Sequence, residues 1–176
     1  MNENFHRDHF LNKDEHQRIN RLVQITAQYI NLFISDDMDV LDVGGADGIM
    51  LDYIKGKAKS IDIFPADERV KFGTIYEEPK ESYDMIIYNH VIEHIWKSYD
   101  EIEAAVQRLR PNGYIFIACP YFNAPWAYNL EPHVQLFNEH ILRKMLKSLN
   151  VETLEYSRHC FREDKEEQWI IGIKKQ

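Results

Sequence analysis

The chain has 176 residues, of which 44% are hydrophobic and 28% charged, and its formal net charge is −8. A chain of this length predicts one domain that buries its own hydrophobic core. The acidic balance disfavours nucleic acid as a partner, because binding to a phosphate backbone needs clustered Lys and Arg. Cys119 and Cys160 lie far apart and predict no disulfide framework. With no apolar leader and no apolar run long enough for a bilayer, we expect a cytoplasmic protein without a membrane partner.

The first half of the chain alternates helical and extended patterns. Residues 14–34 carry apolar side chains at helical spacing, which predicts an amphipathic helix that packs on a sheet. Two short apolar runs, 38–43 and 59–64, predict buried strands, and residues 49–55 between them predict a helix. The run YDMIIY, residues 83–88, predicts a further buried strand.

Two helix starts are predicted in the second half. Ser98 and Glu101 have the spacing of a capping box, so a helix is expected from Ser98 to Arg110. Asn138 is a suitable N-cap for a helix that extends to Leu149.

Three further strands complete the pattern. YIFIAC, residues 114–119, follows a turn at residues 111–113, and residues 151–156 and 169–174 enclose a charged run, 162–167, that predicts a solvated turn. Continuously apolar strands that alternate with helices are typical of a doubly wound α/β sheet, and the last two strands are expected to be antiparallel to each other.

The most informative segment is a glycine-rich loop. Gly44, Gly45 and Gly48 follow the first strand and open the next helix, where small residues let a ligand approach free backbone N–H groups. Asp62 ends the second strand, and a carboxylate at that place can accept hydrogen bonds from both hydroxyls of a ribose. The loop alone would be compatible with a tight turn, but the loop together with Asp62 predicts a nucleotide-type cofactor.

Four segments resemble the class I S-adenosylmethionine-dependent methyltransferases. LDVGGADG at 41–48 resembles their first motif, SYDMIIYNHVIEHI at 82–95 their fourth strand, LRPNGYIFIACP at 109–120 their fifth, and HVQLFNEHILRKML at 133–146 a late helix. The resemblance implies a doubly wound, mostly parallel seven-stranded α/β sheet with a final antiparallel strand and helices on both faces. It also implies S-adenosylmethionine as the cofactor.

The resemblance divides the chain into two parts of one structural domain. Residues 38–176 would form the cofactor-binding domain, and residues 1–37 would form a segment and helix that pack on the sheet, with residues 1–13 as a possible lid. The following cofactor-binding residues are implied: Asp42, Gly44, Gly45 and Gly48 at the methionine part, Asp62 at the ribose, Ile63 and Phe64 at the adenine, and Asn89 and His90 at the sulfonium.

The sequence departs from the family pattern at two places. Ala46 stands where the first motif has its middle glycine, and no acidic residue precedes the fourth strand to bind the adenine amino group. Thr74 and Ile75 are therefore only weak candidates for adenine contacts.

The acceptor side is expected between residues 121 and 137. His133 is the best candidate general base by residue type, because histidine side chains in general titrate near working pH, and Tyr121 is a weaker alternative. Trp126 and Tyr128 are candidates for the wall of a substrate pocket. We expect methyl transfer to an oxygen or nitrogen of a small polar molecule, with a sugar or glycan-linked unit as the specific candidate.

Three other interpretations stay open. His90, Glu93 and His94 match the H-x-x-E-H pattern of some zinc proteases, but His90 is expected at a strand end, so no metal site is predicted. A nicotinamide-dependent oxidoreductase is disfavoured by Ala46 and by the lack of a catalytic Tyr–Lys pair. A non-catalytic module that binds the cofactor without turnover would share every motif named above.

Overall fold

The computed structural model describes residues 13–123, 133–162 and 165–176. In these ranges seven strands form one sheet in the order β3-β2-β1-β4-β5-β7-β6. Their bounds are β1 Asp39–Val43, β2 Lys57–Asp62, β3 Val70–Phe72, β4 Tyr83–Asn89, β5 Leu109–Pro120, β6 Val151–Arg162 and β7 Lys165–Lys174. β7 runs antiparallel to both of its neighbours, and every other pair is parallel. The predicted sheet, with its final antiparallel strand, is confirmed.

Helices cover both faces of the sheet, as predicted. The described helices are α1 Lys13–Ile30, α2 Ser98–Arg108 and α3 Glu139–Ser148. Successive strand residues point to opposite faces, so Ile87 packs in the core layer that contains α1, whereas Ile86 packs in the layer that contains α2 and α3. None of these described helices is long and apolar enough to cross a bilayer.

Several element bounds differ from the predicted ones. The helix predicted over 49–55 is only a 3₁₀ turn, Ile49–Asp52. The edge strand β3 was missed because three residues, two of them exposed, carry too little periodicity to predict a strand. The turn predicted at 111–113 lies within β5, where Asn112 has a positive φ of 64° and the register against β4 shifts.

The predicted capping box at Ser98 is wrong. The N-cap is Lys97, and the Ser98 hydroxyl donates instead to Gln135 Oε1 at 2.5 Å. Glu101 accepts a hydrogen bond from the Tyr88 hydroxyl at 3.2 Å. Both side chains are thus used in tertiary contacts, which a local spacing rule cannot anticipate.

The predicted cap at Asn138 is confirmed, because its side chain accepts a hydrogen bond from the backbone N–H of Ile141 at 2.8 Å. Asn138→Ala should therefore lower the free energy of unfolding by about 1 kcal/mol, the usual value for a lost N-cap. Urea unfolding of the two proteins measures this difference. Asn138→Ser keeps an oxygen acceptor and should retain most of the stability, so equal losses in both variants would contradict the capping role.

The solvated turn predicted over 162–167 is also wrong at its C-terminal end. Glu167 lies on β7 with only 6% of its surface exposed, paired with Pro120 of β5. The antiparallel strands β6 and β7 extend beyond the apolar runs from which they were predicted, so the charged residues that flank these runs also belong to the sheet. One of these charges belongs to the candidate site.

Candidate active site

The glycine loop between β1 and the following 3₁₀ turn has an unusual backbone. Gly44, Ala46 and Gly48 all have positive φ angles, of 78°, 36° and 70°. A Cβ atom on Gly44 would also lie only 2.5 Å from a methyl carbon of Val91. Glycine is therefore required at Gly44 by both conformation and space, whereas Ala46 adopts a conformation that glycine would adopt with less strain.

Asp42 lies beneath this loop at the end of β1 and is almost fully buried. Its Oδ2 accepts a hydrogen bond from the Ser60 hydroxyl at 2.8 Å. Burial, with smaller contributions from the nearby carboxylates of Asp62 and Asp47, raises the pKa of Asp42 to about 7. The buried carboxyl is consequently poised to change charge near neutral pH.

Asp62 ties the loop to the end of β2. Its carboxylate accepts hydrogen bonds from the backbone N–H groups of Ala46 at 3.0 Å and Phe64 at 2.7 Å. Each carboxylate oxygen has a further lone pair, so Asp62 can accept additional bonds from a ligand. Ile63, beside it, is 45% exposed.

A pocket of about 310 Å³ opens at the carboxyl ends of β1 and β4. Six of the residues predicted for the site line it: Asp42, Gly44, Gly45, Asn89, His90 and His133. Of the other described candidates, Gly48, Asp62 and Ile63 lie outside this lining, on the side of the loop that faces β2 and β3. The loop thus separates the pocket from the carboxylate predicted to bind a ribose.

His90 lines the pocket at the end of β4 and lies between two carboxylates. Its Nε2 is 2.8 Å from Glu167 Oε2 and its Nδ1 is 3.3 Å from Glu93 Oε1, while Trp169 Nε1 donates to Glu167 at 2.7 Å. Burial by itself lowers the pKa of His90, but Glu167 and Glu93 outweigh it and raise that pKa to about 10. Burial likewise opposes ionisation of Glu167, yet the His90 charge holds the pKa of Glu167 below its usual value. His90 is therefore positively charged and forms ion pairs with both Glu93 and Glu167.

A family model described as a methyltransferase domain matches residues 12–156. The chain belongs to this methyltransferase family. The resemblance drawn from its sequence motifs is confirmed: the protein is an S-adenosylmethionine-dependent methyltransferase with the class I Rossmann-like fold. A search of curated proteins finds no match.

The fold of the methyltransferase matches solved structures with which it shares little sequence. A methyltransferase from Archaeoglobus fulgidus superposes with a TM-score of 0.72 at 15% identity, over 88% of this chain and 94% of the other. The 1,6-didemethyltoxoflavin-N1-methyltransferase of Burkholderia thailandensis, with bound 1,6-didemethyltoxoflavin and S-adenosylhomocysteine, gives 0.69 at 16%, over 89% and 78%. The methyltransferase in complex with the Haloferax volcanii Trm112 activator gives 0.70 at 12%, over 93% and 92%. At such identities the likeness concerns the fold.

Two contributors to the methyltransferase pocket were missed from the sequence. Helix α1 was predicted only to pack on the sheet, yet Arg18, Leu22 and Thr26 line the pocket. Polar residues on the apolar stripe of a helix were the available signal. Glu167 gave no such signal, because its partner His90 is distant in sequence and the surrounding charges predict a surface turn.

The remaining candidates of the methyltransferase lie elsewhere. Tyr121 lines a separate, more open depression, where the Arg158 guanidinium lies 4.5 Å from its ring centroid. Ile75 is fully buried in the core, and Thr74 caps a 3₁₀ turn with Glu77. The proposed substrate residues Trp126 and Tyr128, and nearly all of the proposed lid over residues 1–13, fall outside the described residues.

Proposed function

We propose that the loop pocket is the methyl-transfer site. Asp42, Gly44 and Gly45 contact the methionine part of S-adenosylmethionine, and Gly48 gives the loop its shape from the other side. Asp62 binds the ribose with Ile63 beside the adenine. Asn89 and His90 face the sulfonium. The observation that carries this proposal is the glycine loop held by Asp62 across the ends of β1 and β2, with the pocket on its other side.

Size and charge support this orientation. A volume of about 310 Å³ lies at the low end for ligand pockets, so it suits the methionine part and a small acceptor. The adenine would then lie over the loop, at the exposed side chain of Ile63. Four carboxyl groups line the pocket, those of Asp42, Asp47, Glu93 and Glu167. They outnumber the cations Arg18 and His90 in the same lining, and this balance suits the positive amino and sulfonium groups of the cofactor.

The acceptor that we propose is a small polar molecule, methylated on an oxygen or nitrogen, with a sugar or glycan-linked unit as the specific candidate. The pocket that His133 lines also has polar side chains, among them Arg18, Asn89 and His94. The sulfonium sulfur already leaves readily as a neutral thioether, so the main task of the site is to align donor and acceptor. A hydroxyl acceptor must also lose a proton, and His133, in the pocket lining, is of a residue type suited to assist it. Tyr121 is kept as the alternative, although it lines another depression.

Asp62→Asn tests the cofactor assignment. The change removes the charge that strengthens hydrogen bonds to the ribose but keeps one oxygen for the loop, so binding of S-adenosylhomocysteine should weaken by about 1–3 kcal/mol, roughly 5- to 150-fold. Titration calorimetry measures the affinity. Asp37→Asn, at an exposed position before β1, is the matched control and should bind like the original protein. Equal affinity in all three proteins would contradict the ribose assignment.

A further inference from the structure

Three potential metal ligands converge at the acceptor end of the pocket. Glu93, His94 and His133 each offer one ligand atom, and these atoms all lie within 4.8 Å of one another. The imidazole rings of His94 and His133 have centroids 4.9 Å apart. All three side chains line the pocket described above, so an ion held between them would be accessible to a bound molecule.

Glu93 is a buried acid whose oxygens lack hydrogen-bond donors among the residues that the structure describes. Only 1% of its surface is exposed, and neither carboxylate oxygen accepts a hydrogen bond within the described part of the chain. Its nearest charged neighbour is His90, whose Nδ1 is 3.3 Å from Oε1. A buried carboxylate without hydrogen-bond donors is unfavourable. Since Glu93 has two oxygens, it can face His90 and still bind an ion.

Backbone contacts hold the third ligand in place. The N–H groups of Val134 and Gln135 donate to the carbonyl oxygen of Glu93 at 2.8 and 3.2 Å. The Gln135 side chain bonds to Ser98 and to the carbonyl of Trp96. The segment that carries His133 is thereby fixed against the turn that carries Glu93 and His94, as a preorganised ligand set requires.

We propose that Glu93, His94 and His133 bind one divalent transition-metal ion. Two imidazoles and one carboxylate form a mixed nitrogen and oxygen set, which suits zinc, cobalt or iron better than magnesium, an ion that prefers oxygen ligands. Three protein ligands also leave a coordination position open. Atoms bound to one ion at about 2.1 Å lie at most about 4.2 Å apart, so small side-chain rotations suffice to close the site.

The metal would define the class of acceptor, a step that rests on the proposed function. A hydroxyl bound at the open position has a lowered pKa and releases its proton to water. Its oxygen then forms a bond to the methyl carbon while the S–CH₃ bond breaks, and the electron pair of that bond stays on sulfur as S-adenosylhomocysteine. The preferred acceptors are therefore hydroxyl compounds, and His133 acts as a ligand instead of a base.

Cobalt(II) is the probe for this site. Metal-free protein without an affinity tag is titrated with Co²⁺, followed by visible absorption and calorimetry, for the original protein, Glu93→Gln, His133→Ala and the control His140→Ala, an exposed histidine on α3. We expect one ion per chain in the original protein and the control, and at least about tenfold weaker binding in the other two. Circular dichroism verifies that every variant is folded.

Two results would overturn the metal site. One is no Co²⁺ binding up to about 1 mM, the affinity limit of the titration; the other is equal affinity in all folded variants, which would locate the ion at other histidines. S-Adenosylhomocysteine is titrated into the same metal-free protein. If it binds where cobalt does not, the metal proposal alone fails. If cobalt binds as expected and S-adenosylhomocysteine does not, the proposed function fails and the acceptor role fails with it.

Discussion

Gly45→Ala is expected to destabilise the protein and to abolish tight cofactor binding. A Cβ atom at this position would lie 1.8 Å from Ser60 Oγ and 2.3 Å from Asp42 Oδ2, the two atoms joined by the buried hydrogen bond beneath the loop. The methyl group must separate this pair or displace the loop. We expect the free energy of unfolding to fall by about 3 kcal/mol, which corresponds to a decrease in Tm of about 6–12 °C for a chain of this size.

Thermal unfolding and calorimetry with S-adenosylhomocysteine measure both effects. Gly73→Ala is the matched control, because the nearest atom to its added Cβ is Oε2 of the exposed Glu77 side chain, 3.2 Å away. Combining Gly45→Ala with Ser60→Ala removes the closest clashing atom and should restore part of the stability, with a coupling of about 1 kcal/mol or more. A stable Gly45→Ala protein with unchanged affinity would show that this crowding has no consequence.

The second large effect concerns pH. Asp42 has a pKa of about 7 in the folded protein, against about 3.9 in an unfolded chain. Between these values the folded state binds the extra proton, so its stability falls as pH rises. The contribution of neutral Asp42 to the free energy of unfolding is complete below about pH 4 and is lost as pH rises through about 7. Asp42→Asn keeps the shape of the side chain without the charge. The free energy of unfolding of this variant, measured relative to that of the original protein, should therefore increase by about 2–4 kcal/mol as pH rises from about 4 to 8.

Urea unfolding at a series of pH values tests this expectation through the difference between the two proteins, since carboxylates remote from Asp42 titrate equally in both. Asp37→Asn is the control. Hydrogen bonding by Ser35 lowers the pKa of Asp37, so any contribution of this exposed group is gained as pH rises through its acidic range and stays constant near neutrality. A pH-independent difference between Asp42→Asn and the original protein would exclude a raised Asp42 pKa.

Local patterns were sufficient to predict where the proposed cofactor-binding residues lie in the fold. The glycine loop, Asp42 and Asp62 lie within one β–turn–β segment, so their spatial relation follows from their order in sequence. The buried strands were likewise predicted from continuous apolar runs such as YDMIIY, because these runs need no knowledge of their neighbours.

The part of the pocket lined by His90, Glu93 and His133 depends on contacts between segments that are distant in sequence, which sequence spacing does not reveal. Glu167 reaches His90 because β7 inserts beside β5. Ser98 does not cap its helix because its hydroxyl donates to Gln135. The segment that contains Gln135 also contains His133, and its backbone bonds to the carbonyl oxygen of Glu93. The H-x-x-E-H pattern contains Glu93 and His94 of the proposed metal site, but both nitrogens of its first histidine, His90, face carboxylates.

Titration calorimetry with S-adenosylhomocysteine and, separately, with NAD tests most directly that the loop pocket binds the methyl donor. Our account predicts one S-adenosylhomocysteine bound per chain, with binding weakened in both Gly45→Ala and Asp62→Asn, and no heat from NAD. Binding of NAD in place of S-adenosylhomocysteine, or S-adenosylhomocysteine binding that both variants leave unchanged, would contradict it.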